Sequence, residues 1–211
     1  MSFSAHARHV RDPVLPHRHR VSALRSCVQL YRPIGFHATL SFLEEQAGPF
    51  QQDEAALLRA LDALVASRLA RRAEFRRYAT ARSSAKRRGQ RSPHPDDPNP
   101  HHVRGYWYGA PRRAALHALR FWQRERRPAL LPSPDPIVVR LDSCVSACLA
   151  AGGRLTPDQR RLLATAADAL NEHLRPGVWS DDGPAYFRAL DLLRVARFVE
   201  VASEPESGGH Q

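Results

Sequence analysis

Ten cationic side chains, Arg68, Arg71, Arg72, Arg76, Arg77, Arg82, Lys86, Arg87, Arg88 and Arg91, fall within 24 residues that contain a single acid, Glu74. An arginine fork donates two parallel hydrogen bonds to phosphate oxygens, so this density points to a polyanion, with nucleic acid ahead of an anionic membrane. On a long polar loop the cluster suits contact with the duplex backbone or the minor groove. Arg104 extends it, and Tyr78, Tyr106, Trp107 and Tyr108 lie near enough to stack on bases or sugars. The alternative for the aromatic residues is packing a sheet against the helices, and for Trp107 that is the expected role. Six phosphate contacts predict a log affinity against log salt slope of about −5.

Other chemistries find less support. The stretch HPDDPNPHH at 94–102 collects His94, Asp96, Asp97, His101 and His102, but the spacing matches no closed zinc arrangement. Asp96 and Asp97 are also the pair a nuclease would use, and they sit on no regular element. Cys144 and Cys148 share one helical face with no converging histidine, so they read as small core residues, as does Cys27. His17 and His19, on either side of Arg18 in the arm, raise its charge only below about pH 6.5. With no phosphate-cradling glycine loop and no nucleophile elbow, the expectation is a binding protein, not an enzyme, without metal or cofactor.

The chain has 211 residues, enough for one domain or a small domain with a helical appendage, and enough to bury a core without disulfides or metal. No apolar run reaches the ~18 residues needed to span a bilayer. The first twenty residues lack the apolar stretch of a secretory signal. Three cysteines form no disulfide framework, which implies a reducing, cytoplasmic setting. The net charge of +11 is unevenly placed. Residues 1–113 hold 20 of the 32 cations and 9 of the 21 acids, whereas residues 114–211 hold 12 of each. All but Lys86 of the cations are arginine, which a GC-rich genome produces unaided, but composition does not explain the confinement to one half.

The elements that must position the cluster follow from periodicity. Residues 1–20, with four histidines and four arginines, read as a flexible basic arm. Leu24, Cys27, Val28 and Tyr31 mark a first helix, ended by Pro33 and Gly35. Thr39 opens a short second helix with Leu40, Phe42, Leu43 and Ala47, and Gly48-Pro49 closes it. A third helix over 51–67 has Asp53 and Glu54 at its start and buries Leu57, Leu61, Leu64 and Val65. Residues 69–75 then alternate as a strand, 76–102 form a polar loop, and 103–108 (VRGYWY) supply a second strand. The second half reads as four helices, over about 112–126, from Ile137 to a Gly152-Gly153 stop, after Thr156-Pro157, and over about 184–201. Residues 202–211 form a polar tail.

Three helices followed by two strands around a basic loop is the order of a winged helix. The segment FHATLSFLEEQAGPFQQDEAALLRALDALVASRLARRAEF at 36–75 resembles the winged helix-turn-helix family, and the likeness covers 21–110. It implies a mainly α fold with a small β-wing, residues 36–38 as a minor strand, 51–67 as recognition helix and 76–102 as the wing loop. A four-helix C-terminal region over 111–201 follows. Gln51, Gln52 and Arg59 would then face base edges and the cationic loop the phosphates. Two features depart from the pattern. The wing is several times longer than usual, and Asp53, Glu54 and Asp62 outnumber Arg59 on the recognition helix. The family likeness implies double-stranded DNA as partner, a homodimer through the C-terminal helices, and a bacterial transcriptional regulator. A plasmid or phage replication or partition factor, and a winged-helix protein-interaction adaptor, are the alternatives.

Overall fold

The computed structural model describes residues 1–93, 106–125, 135–174 and 183–204, and among them it contains eight α-helices and no strand. They are α1 (Phe3–Arg11), α2 (His17–Leu30), α3 (Phe36–Ala47), α4 (Glu54–Arg87), α5 (Pro111–Glu125), α6 (Pro136–Ala150), α7 (Pro157–His173) and α8 (Gly183–Ser203). The chain divides into two compact units, Met1–Gly109 and Ala110–Gln211.

In the first unit, α1 forms because Phe3, Ala7 and Val10 recur at i, i+4 and i+7 and are all buried, while the Ser2 side chain caps the start by accepting from the Ala5 amide. It packs on α2, which buries Ala23, Leu24, Cys27 and Val28. Gly35 and Gly48, both at φ 94°, bound α3 in a backbone conformation that side chains disfavour. The core joins Leu24, Val28, Phe42, Leu43 and Phe50 to Leu57, Leu61 and Leu64 of α4. One charged residue lies inside it. Arg20 is 3% exposed, its Nε donating to the Val10 carbonyl at 2.8 Å and its guanidinium to Glu54 at 2.6 Å. It thereby ties the end of α1 to the first turn of α4.

The second unit packs α5 and α7 against α8, with α6 alongside all three. Its core comprises Ala115, Ala118, Leu119 and Trp122 with Leu141, Val145, Leu163, Leu170, Leu192, Phe198 and Val199. Thr156 and Gln159 form a reciprocal capping box with Pro157 at the first helical position. Two helix ends meet at Arg112, which donates to the Ala202 carbonyl at 3.1 Å and the Gly152 carbonyl at 2.7 Å. Gly153, at φ 96°, is pressed against this junction: a Cβ there would lie 2.5 Å from the Ala202 oxygen.

Several expectations from the sequence are corrected. Residues 69–75 are not a strand but the middle of α4, a 34-residue helix. A seven-residue alternation (LARRAEF) dominated by Leu, Ala, Arg and Glu, all strong helix formers, does not distinguish the two periods, and no Gly or Pro interrupts the chain between Pro49 and Gly89. The wing therefore has no first strand, and residues 76–87 of its supposed loop are helical too. Residues 36–38 are the first turn of α3, not a minor strand. Residues 1–20 contain α1 and the start of α2 where a flexible arm is expected, because the apolar 3/7/10 spacing is hidden among histidines and arginines. Of the second predicted strand, 103–105 lie outside the described residues and 106–108 are not extended in a sheet.

Candidate nucleic-acid interface

Helix α4 is about 51 Å long at 1.5 Å per residue, and its two halves differ in kind. The inner half buries a seam of Leu57, Leu61 and Leu64 at i+3 and i+4 steps. The same seam continues as Arg68, Arg71, Phe75, Tyr78 and Arg82, so the face that is aliphatic inside the bundle becomes arginine and aromatic beyond it. A Schellman turn ends the helix: Gln90 N–H donates to the Ala85 carbonyl, Gly89 N–H to that of Lys86, and Gly89 takes φ 91°.

The ten clustered cations fall into two groups by their surroundings. Arg68 lies over the Phe3 ring at 4.1 Å, and its pKa is lowered, first by burial and then by neighbouring Arg72. Arg71 sits 4.9 Å from the Phe75 ring centre and 5.9 Å from that of Tyr31. Arg77 pairs with Glu74, the one acid of the segment. Arg82 turns toward the Gln90 and Arg91 carbonyls, which holds the terminal turn. The remaining six, Arg72, Arg76, Lys86, Arg87, Arg88 and Arg91, are exposed, and their side chains make no hydrogen bond or ion pair among the described residues.

The expected base-reading residues are placed otherwise. Gln51 and Gln52 are exposed, but they occupy the turn before α4, where the Gln51 carbonyl meets His17 Nε2 at 3.2 Å. Arg59 faces back along the helix. Its Nε and Nη2 donate to the Ala47 carbonyl at 3.2 and 2.8 Å, satisfying the end of α3, and Asp53 lies 3.5 Å from the same guanidinium. Asp62 pairs with Arg11 at 2.7 Å. The start of α4 is thus an acidic, structurally committed surface. Arg104 lies outside the described residues.

The aromatic residues near the segment divide as well. Trp107 is buried edge-on to Phe42, with ring centres 4.9 Å apart, and belongs to the core. Tyr106 and Tyr108 are half-buried and pair edge to face at 4.8 Å. Ser67 Oγ shares a 2.9 Å hydrogen bond with the Tyr31 hydroxyl and receives the Tyr108 N–H at 3.1 Å, anchoring the returning chain to α4 where the seam changes. Burial raises the Tyr31 and Tyr108 hydroxyls above their ordinary range.

The stretch 94–102 with its histidines and aspartates lies outside the described residues. Among those described, no three His, Cys, Asp or Glu side chains are grouped as metal ligands. Cys27, Cys144 and Cys148 are buried free thiols, and burial pushes Cys27 and Cys148 up to about 11. No described helix is long and apolar enough to cross a membrane. No protein-family model matches the chain, and neither curated proteins nor solved structures contain a significant match to it.

Proposed function

We propose that the first unit binds double-stranded DNA through its phosphate backbone, with the outer half of α4 as the contact surface. The observation that carries this reading is the set of six exposed cations, Arg72, Arg76, Lys86, Arg87, Arg88 and Arg91, along one helix and its terminal turn. None has an internal partner among the described residues, so none must give up an ion pair to meet a phosphate. The reading needs no wing. It assigns no base contacts to Gln51, Gln52 or Arg59, because phosphates would meet Asp53, Glu54 and Asp62 there.

The protein is read as a binding protein without catalysis or cofactor, serving either transcriptional regulation or replication and partition. The second unit is assigned to protein contact, with a second copy of the chain as the occupant. Titration of the full chain with a labelled duplex at several salt concentrations tests the proposal. Salt-sensitive binding that weakens when the six cations are replaced by glutamine supports it. Binding that ignores both changes, or no duplex binding near physiological salt, refutes it.

A further inference from the structure

The outward face of α2 carries Arg18, Ser22, Arg25 and Gln29 at i, i+4, i+7 and i+11, opposite the buried Ala23, Leu24, Cys27 and Val28. All four are exposed, as is His19 beside them, and their side chains make no hydrogen bond or ion pair among the described residues. The helix HRHRVSALRSCVQL contains no acid. Three other cations of the bundle are paired: Arg11 with Asp62, Arg59 with Asp53, and, on the buried side of α2 itself, Arg20 with Glu54. The C-terminal end of α2 lies near the cationic segment of α4: Tyr31, its C-cap, sits beneath Arg71, and the exposed Arg32 follows it.

We infer that α2 is the groove-reading helix of this protein and that its ligand is the major groove of B-form duplex DNA. An α-helix fits that groove, which presents donors and acceptors distinct for each base pair. Arginine matches the two acceptors of guanine, glutamine the acceptor and donor of adenine, and serine takes either role. From Arg18 to Gln29 the stripe rises about 16 Å, roughly five base-pair steps at 3.4 Å each. The deep, narrow major groove of A-form RNA does not admit a helix, so duplex RNA is not the ligand. In this arrangement α2 supplies sequence discrimination and α4 supplies affinity.

The inference rests on the reading of the first unit as a DNA-binding unit, and the experiment separates the two. The full chain is used to select from duplexes with a randomised centre, and affinities for enriched and scrambled duplexes are measured for wild type, Q29A and the charge-preserving R18K/R25K. Wild type is expected to enrich a motif and to prefer it about 100-fold, at about ten-fold for each forked arginine contact. R18K/R25K is expected to lose most of that preference while binding scrambled duplex within about three-fold of wild type, because charge is kept and only the fork is lost. Q29A is expected to relax one position of the motif. Salt-dependent binding with no enriched motif, or a motif that survives R18K/R25K, overturns the role of α2 and leaves the backbone reading standing. Absence of duplex binding overturns both.

Discussion

Replacing Arg72, Arg76, Lys86 and Arg87 by glutamine removes four of the six unpartnered cations on α4 and leaves its fold intact. All four side chains are exposed and none caps a helix or pairs with an acid. Glutamine also has nearly the helix propensity of Arg and Lys. Each phosphate neutralised contributes about 0.9 to the slope of log affinity against log salt, so six contacts give a slope of about −5.4 and two give about −1.8. Between 50 and 200 mM salt the wild-type affinity should then fall about 1,000-fold and that of the variant about ten-fold. Fluorescence anisotropy with a short labelled duplex reads both slopes, and far-UV circular dichroism checks that helicity is kept. A variant slope equal to that of wild type would refute the assignment, because it would put the phosphate contacts elsewhere. A wild-type slope shallower than about −2 would refute it too, since it leaves too few contacts for the exposed set.

Further outcomes follow from the packing. Gly153→Ala is expected to destabilise the second unit by about 3 kcal/mol or more, through left-handed strain and the contact with the Ala202 oxygen. Gly152→Ala, with open space around it, should cost only about 1 kcal/mol, and equal losses in thermal melts would contradict the crowding at Arg112. Arg20→Ala should cost about 2–4 kcal/mol in chemical denaturation of the first unit, because it leaves the Val10 carbonyl unpaired beside a void; a loss below about 1 kcal/mol would show that this buried cation is dispensable. Burial holds Cys27 and Cys148 as thiols up to about 11, above the unfolded value near 8.5, so their contribution to stability is intact at neutral pH and is lost as pH rises from about 8.5 through 11. Alkylation of the native protein should accordingly be slow at pH 7.5, with Cys27→Ala and Cys148→Ala flattening the alkaline fall in stability.

The legible parts of this fold are those where local signals agree. Thr156-Pro157-x-Gln159 contains its own cap, and Leu57, Leu61 and Leu64 set the buried side of α4. The illegible parts are those where composition imitates another period. Alternation over 69–75 is imperfect, because Arg71 falls on the side of Leu69, Ala73 and Phe75 and Ala70 on the side of Arg72 and Glu74. Ala and Arg are both at home in a helix that nothing interrupts before Gly89. At the other end, polar content concealed α1, because only three of its nine residues, Phe3, Ala7 and Val10, are buried apolar ones.

What the sequence by itself determined is the amount and location of charge: the surplus in residues 1–113 and the ten cations of 68–91 are facts of composition, independent of how the chain folds. The mainly helical class was equally within its reach. Only the tertiary structure decided which cations are free. Arg59, Arg77, Arg82 and Arg20 look alike in one dimension, yet the structure turns the first toward the end of α3, the second toward Glu74, the third toward the terminal turn and the fourth into the core. The physical reason is that an arginine is long enough to satisfy a carbonyl or carboxylate on an element distant in sequence. Its availability to a ligand therefore depends on partners that spacing along the chain does not reveal.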